Sequence, residues 1–266
     1  MSLKKLLNLF IVSIIIGTSS FGVARALDIQ KLDVDDFIID DFTTDYYLEK
    51  TGIGASKMRV VEQITAIFPD YEQNKGICRS IPYTYQDKVL MDEPTTSSLN
   101  LKRNGESEPV YSIEKGDGIY SICTGTDDYL TGKQIYSFEY EYYKVVADFG
   151  GHQELYWDTN GTGWKQKFNS VTARVHFDDD SVNNLYGEPS CYVGKYGEKG
   201  QDRCTINKTD SMYEFSAKNL EANENLTFDV MFKSDSFRMY DNVEDYAELF
   251  ITTFIRYVAF LKFLIL

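Results

Sequence analysis

The 266 residues carry 41 acidic against 27 basic side chains, a formal charge of −14, and a field of that sign repels nucleic acid and anionic lipid headgroups. Aromatic residues make up 15% of the chain and prolines number only five, a composition that excludes a disordered polymer. The length suffices for one large β domain or two small ones.

The chain opens with Lys4 and Lys5, then an apolar run from Leu6 to Ile16 broken only by Asn8 and Ser13, then Ala24-Arg25-Ala26. A basic start, a short apolar stretch and a small-x-small site predict a signal peptide over 1–26, cut after Ala26. The competing reading is an uncleaved signal anchor, because Arg25 is unusual in a cleavage site. Removing 1–26 takes away three basic residues and no acidic ones, which leaves −17 on the exported part.

From there the periodicity is two. Phe42, Thr44, Tyr46 and Leu48 alternate with more polar neighbours, and Gly52 and Gly54 break the chain. Met58, Val60, Ile64, Ala66 and Phe68 then share one parity, with Glu62 as the exception, before Pro69-Asp70 ends the run. This predicts strand, turn, strand. Gly76-Ile77-Cys78-Arg79-Ser80-Ile81-Pro82 reads as extended, since a residue before proline is kept out of helical space. Arg79 is a candidate for an anionic ligand group, or for an internal carboxylate. Gln86 to Ser98 reads as a long polar surface loop.

Short strands are expected over 99–103, 110–114 and 119–124, parted by Gly105, Asp117-Gly118 and Gly125. The strongest strand signal is 134–146, with Tyr136, Phe138, Tyr140 and Tyr142 on one face and Ser137, Glu139 and Glu141 on the other. Val171, Ala173, Val175 and Phe177 form another such face, and Leu226, Phe228, Val230 and Phe232 the last. About nine short strands with frequent turns predict an all-β fold, an antiparallel β-sandwich of immunoglobulin-like or jelly-roll-like kind. It spans 27–240, between the signal helix and an apolar C-terminal helix. The latter, over 246–266, contains the 18-residue stretch Leu249–Leu266, interrupted by Thr252, Thr253, Arg256 and Lys262. Its length just reaches that of a membrane span, so the membrane is an expected partner; a soluble packing helix is the alternative.

Four cysteines in an exported chain point to disulfides. Of three possible pairings, the reading favours Cys191–Cys204, which closes a short glycine-rich loop, and Cys78–Cys123. Zinc lacks a Cys-x-x-Cys pair here, and no metal or cofactor is expected.

Both tryptophans lie in Glu154-Leu155-Tyr156-Trp157-Asp158-Thr159-Asn160-Gly161-Thr162-Gly163-Trp164. They form either an exposed platform for a sugar or peptide, with Glu154 or Asp158 as polar groups, or two core indoles flanking a turn; tryptophan is usually mostly buried. Asp178-Asp179-Asp180 is a weak calcium candidate, lacking the order of a calcium loop; Asp33, Asp35 and Asp36, and Asp127-Asp128, are weaker still. His152 and His176 sit in no hydrolase motif. Asn160, Asn207 and Asn225 each begin an Asn-x-Thr glycosylation pattern, relevant only in a host that glycosylates. No catalytic constellation is recognisable, so the chain is expected to be no enzyme.

The order of these motifs resembles the exported N-terminal region of predicted bacterial and archaeal membrane proteins, the family named domain of unknown function 2207. The matching residues are Val60-Val61-Glu62-Gln63-Ile64-Thr65 leading to Phe68, then Gly76-Ile77-x-Arg79-x-Ile81-Pro82. They continue through Glu154-Leu155-Tyr156-Trp157-x-x-x-Gly161-x-x-Trp164, Cys191-Tyr192-x-Gly194-x-x-Gly197 and Leu220-x-x-x-Glu224-x-Leu226-Thr227. The resemblance covers about 37–237. Members generally continue into several membrane helices, whereas this sequence stops within its first apolar segment. Cys78 stands where the family has an aromatic residue, which implies a disulfide particular to this protein. The resemblance implies a cell-membrane protein with its β domain on the extracytoplasmic side, and leaves the chemistry open. The expected role is a tethered, non-catalytic module that binds or scaffolds a cell-envelope component, a protein or a glycan; the alternative is envelope carbohydrate binding or glycan processing through Trp157 and Trp164.

Overall fold

A computed structural model describes residues 35–239, apart from 86–87, 90–98, 199 and 201–202. The signal peptide over 1–26, Asp33, most of the 86–98 loop and the 246–266 helix lie outside the described residues. In chain order the strands are β1 (Ile38–Lys50), β2 (Ser56–Phe68), β3 (Cys78–Pro82), β4 (Thr84–Tyr85), β5 (Lys88–Val89), β6 (Asn100–Arg103), β7 (Glu106–Ser107), β8 (Val110–Gly116) and β9 (Ile119–Thr124). They continue with β10 (Gly132–Tyr143), β11 (Ala147–Asp148), β12 (His152–Asp158), β13 (Phe168–Phe177), β14 (Ser190–Gly194), β15 (Cys204–Lys208), β16 (Met212–Leu220) and β17 (Asn225–Lys233). One short helix, α1 (Asp179–Asn183), follows β13. The protein is mostly β, as its alternating pattern requires.

The largest sheet runs β15-β16-β13-β1-β2-β10-β6-β7. Its register lines up the predicted apolar faces: Phe42 sits opposite Val171 and Ile64, and Tyr46 opposite Val175 and Val60. Tyr136 and Tyr140 extend these rows from β10. A smaller sheet, β11-β12-β17-β14, packs its apolar face on this one. Tyr46 meets Phe228 with ring centres 5.3 Å apart, Phe215 stacks on Phe228 at 5.1 Å, and Tyr142 meets Trp157 at 4.9 Å. A three-stranded sheet, β3-β9-β8, adds buried Ile81, Tyr120 and Ile122 to the same core. Burial of such side chains is worth roughly 1.5–3 kcal/mol each.

One expectation needs correcting. The sheet is not wholly antiparallel: β1 and β13 run parallel, from Ile39↔Phe168 to Leu48↔Phe177. Alternation assigns a residue to a face, but either strand direction satisfies the same alternation. A parallel pair needs only a crossover of a dozen or more residues, and residues 51–167 supply it.

The aspartates at 178–180 are also accounted for without calcium. Asp178 caps α1, accepting from the Ser181 amide at 2.8 Å, and also accepts from the Lys50 amide at 3.1 Å. Asp179 and Asp180 occupy the first turn, where negative charge complements the exposed amides. Among the described residues, no group of three or more His, Cys, Asp or Glu side chains is placed to hold a metal ion. Among them, too, no helix is long and apolar enough to cross a membrane.

Both favoured disulfides are present. Cys78–Cys123 joins directly opposed residues of β3 and β9. Cys191–Cys204 does more, because it ties β14 of the smaller sheet to β15 at the rim of the larger. It closes a separation of 13 residues, which the chain-entropy account values at about 3 kcal/mol. A Cys191→Ser/Cys204→Ser double variant is therefore expected to lose about that much stability, read as a lower urea midpoint with an unchanged far-ultraviolet spectrum.

Candidate functional site

Glu62 breaks the apolar parity of β2, and its position explains why. It lies on the inward face between Thr44 and Phe138 and is fully buried. Its partner is Arg79, from β3. The Arg79 Nε and Nη2 donate to the two Glu62 oxygens at 2.9 and 2.7 Å. The remaining donors go to main-chain carbonyls: Ser80 and Asn160 from Nη1, both at 2.9 Å, and Thr159 from Nη2 at 3.1 Å. Tyr140 Oη donates to Glu62 at 2.7 Å, and the guanidinium lies 5.2 Å from the Phe42 ring centre. Burial works to lower the Arg79 pKa, but the charge and hydrogen bonds of Glu62 outweigh it and hold the group charged. All five guanidinium N–H groups are thus engaged. The anionic-ligand reading of Arg79 is corrected: its internal carboxylate is Glu62.

The tryptophan turn is built on the same group. Asn160 accepts Arg79 and the Trp164 indole N–H, at 2.9 Å, on its carbonyl. Its side chain donates to Glu224 O and accepts from the Leu226 amide, both at 2.9 Å. Asn225 Oδ1 caps the turn from the other side, accepting the amides of Asn160 and Gly161 at 3.1 and 2.7 Å. Gly161 adopts a φ of 77°, which favours glycine. Trp157 is 7% exposed and Trp164 6%. Trp164 packs edge-on against Phe42 and Phe168. The exposed platform is therefore corrected too: these are core indoles, with no face free to stack on a sugar. Asn160 and Asn225 are buried in this network, whereas Asn207 is exposed.

Glu154 and Asp158 share the outer face of β12 but do not form a pair. Asp158 accepts from Asn225 Nδ2 at 2.8 Å and Thr227 Oγ1 at 2.6 Å. Glu154 instead neighbours Asp229 of β17 and lies 3.6 Å from His152 Nε2. Asp229 was missed by sequence reasoning; the one available signal is that it is the acid on the outward parity of an otherwise buried strand. His176 is held 2.7 Å from Asp45 and stacks on Tyr47.

Both segments singled out in the sequence line one cleft of about 860 Å³. One wall is the outer side of β3 with Thr124–Asp127; the other is the 156–166 turn. Gly76 lets the first of these walls form, since a Cβ there would lie 2.0 Å from the Thr124 carbonyl. The open apolar surface comes from Tyr111, 77% exposed, with Ile119 and Tyr156. Charges at the rim answer one another: Lys165 with Asp35 at 2.7 Å, and Lys75 with Asp127 at 3.9 Å. Arg79 lies among the lining residues, but its donors are spent within the protein.

Replacing Glu62 by Leu leaves a buried guanidinium without its counter-ion, so the variant is expected to lose about 3–5 kcal/mol in urea unfolding. Adding Arg79→Met should recover part of that loss. Iodide should barely quench the native tryptophan emission and quench it strongly in urea; strong native quenching would contradict the buried indoles.

Among curated proteins none matches the sequence. Solved structures to which the chain is similar include an M1 zinc metallopeptidase mutant from Deinococcus radiodurans bound to a Tyr-Ser-Ala substrate. That match has 10% identity and a TM-score of 0.39, over 72% of this chain and 42% of the other. Leukotriene A4 hydrolase from Saccharomyces cerevisiae matches at 10% identity and 0.40, over 75% and 30%. A protein from Legionella pneumophila described as nutrient-binding matches at 9% and 0.42, over 75% and 68%. The chain spans less than half the length of the peptidase and the hydrolase, and likeness at these scores carries no argument about activity. The family model described as the predicted membrane protein DUF2207 N-terminal domain matches residues 38–232, and the chain belongs to that family.

Proposed function

We propose that this chain is a membrane-tethered module, displayed outside the cytoplasm, that binds a polypeptide segment of another envelope protein without chemical turnover. Its two facing sheets are read as a β-sandwich that carries the cleft at one end. Two disulfides support an oxidising compartment, because cytosolic thiols are kept reduced. Membership of a family of predicted membrane proteins supports the tether.

The binding reading is carried by one observation, the cleft itself. Its volume lies within the range of ligand sites, two ion pairs stand at its rim, the Asp158 carboxylate in its lining is taken up by Asn225 and Thr227, and its open apolar surface is Tyr111, Ile119 and Tyr156. Such a surface suits a weakly charged partner segment that presents apolar side chains. Its walls are fixed by the Arg79 and Asn225 hydrogen bonds, so little ordering cost falls on binding.

A photoreactive side chain placed at Tyr111 in the full chain, in its native envelope, tests this. It is expected to give a discrete protein adduct that the same group at Tyr196, 93% exposed and away from the cleft lining, does not give. Equal labelling from both positions, or none from Tyr111, would overturn the reading.

A further inference from the structure

We propose that Glu154 and Asp229 hold one proton between them, and that this shared proton makes the four-stranded sheet a pH-responsive element of the domain. The geometry begins with register. Tyr156 lies opposite Asp229 and Glu154 opposite Met231, so the two acids are diagonal neighbours on the outer face of β12 and β17. Diagonal side chains on one face are within reach of each other when one is long, which puts the Glu154 carboxyl within reach of Asp229. Two carboxylates cannot donate to each other, so a hydrogen bond between them needs a proton.

The surroundings say where it sits. Asp229 Oδ2 is met by Ser190 Oγ at 3.2 Å. Asp229 Oδ1 is shielded from water, and no donor reaches it among the described residues. A buried acceptor left in that state is costly, and a proton shared with Glu154 removes the cost.

Among the described residues no lysine or arginine takes the proton's place. On β12 the facing groups are His152, 3.6 Å from Glu154, and Asp158, which is bonded to Asn225 and Thr227. On β17 Lys233 donates to the Asn183 carbonyl at 2.8 Å. On β14 Tyr192 Oη lies 3.1 Å from Ser190 Oγ, and on β11 Asp148 accepts the Gly150 amide. From the 184–188 segment, Tyr186 stacks near His152 and Glu188 pairs with Lys208. Among the described residues no lysine or arginine forms an ion pair with Glu154 or Asp229.

Burial pushes the Asp229 carboxyl up, and the charge and hydrogen bond of Glu154 push it further, to about 7, against opposing pulls from Ser190 and His152. An acid whose pKa is raised on folding binds its proton more tightly in the folded state. The resulting stability is fully present below about pH 4, the unfolded value, and is lost as pH rises through about 7. Above that point two carboxylates repel across the β12–β17 ladder.

The test is thermal unfolding of the full chain in detergent between pH 5 and 8.5, with infrared spectra of the carboxyl C=O band. The wild-type melting temperature is expected to fall by roughly 5 °C across the window. Asp229→Asn should abolish that fall, while His176→Gln, which removes the His176–Asp45 pair, should keep it. The protonated-carboxyl band should be present at pH 6, gone by pH 8.5, and missing from Asp229→Asn. A wild type without the band at pH 6 overturns the proposal, whatever the variants do. So does an Asp229→Asn variant with the full pH dependence.

Discussion

The contact between Glu62 and Arg79 holds the three main sheets in one arrangement. Glu62 belongs to the eight-stranded sheet, Arg79 to the three-stranded one, and the carbonyls of Thr159 and Asn160 follow the end of β12 in the four-stranded one. Each sheet alone could slide along its apolar face at modest cost. A buried charge cannot slide, because any shift strands the guanidinium without its carboxylate. A buried ion pair often adds little net stability over a well-packed apolar substitute. Here its value is selection among packings: one arrangement satisfies all five N–H donors of Arg79, and the Phe42 ring and Tyr140 hydroxyl complete the enclosure.

The cleft inherits this rigidity. Arg79 and Asn225 grip the 159–161 turn from opposite sides, and the turn in turn places Trp164 against Phe42 and Phe168. Arg79, which looked like a ligand contact, therefore builds the wall behind the surface, whereas Asp158 stays exposed in the lining and Glu154 lies outside it. What faces solvent is plainer: two tyrosines, an isoleucine, two ion pairs and the Asp158 carboxylate.

Strands β1, β2, β10, β13 and β17 were legible because each buries one face, and burial imposes a period of two. The two disulfides were legible in part, since loop length and an even count narrow the pairings. Glu62 was visible as a break in parity, but its partner lies 17 positions on, in a separate strand, and no local rule joins them. The direction of β13 was hidden for a related reason: alternation is blind to polarity. Asp178 was read for its charge, whereas its use is as a cap, settled by where the chain turns into α1. Asp229 escaped notice because a single acid on an outward face is ordinary until a second, from another strand, is placed beside it.

The parallel ladder also sets an order of events. Phe42 meets Val171, 129 positions away, so β1 can pair with β2 by a local hairpin long before its other edge is covered. Contacts over such separations close slowly, because the loop entropy is lost before the pairing repays it. When the chain is made from its N-terminus, the β13-facing edge of β1 stays open until about residue 177 has emerged. The same strand carries Phe42, Tyr46 and Leu48 on its inward face, and an open apolar strand of this kind recruits foreign chains. The half-made domain is thus at greatest risk of misassociation in the interval before β13 arrives. A chaperone that shields strand edges would matter most during that interval.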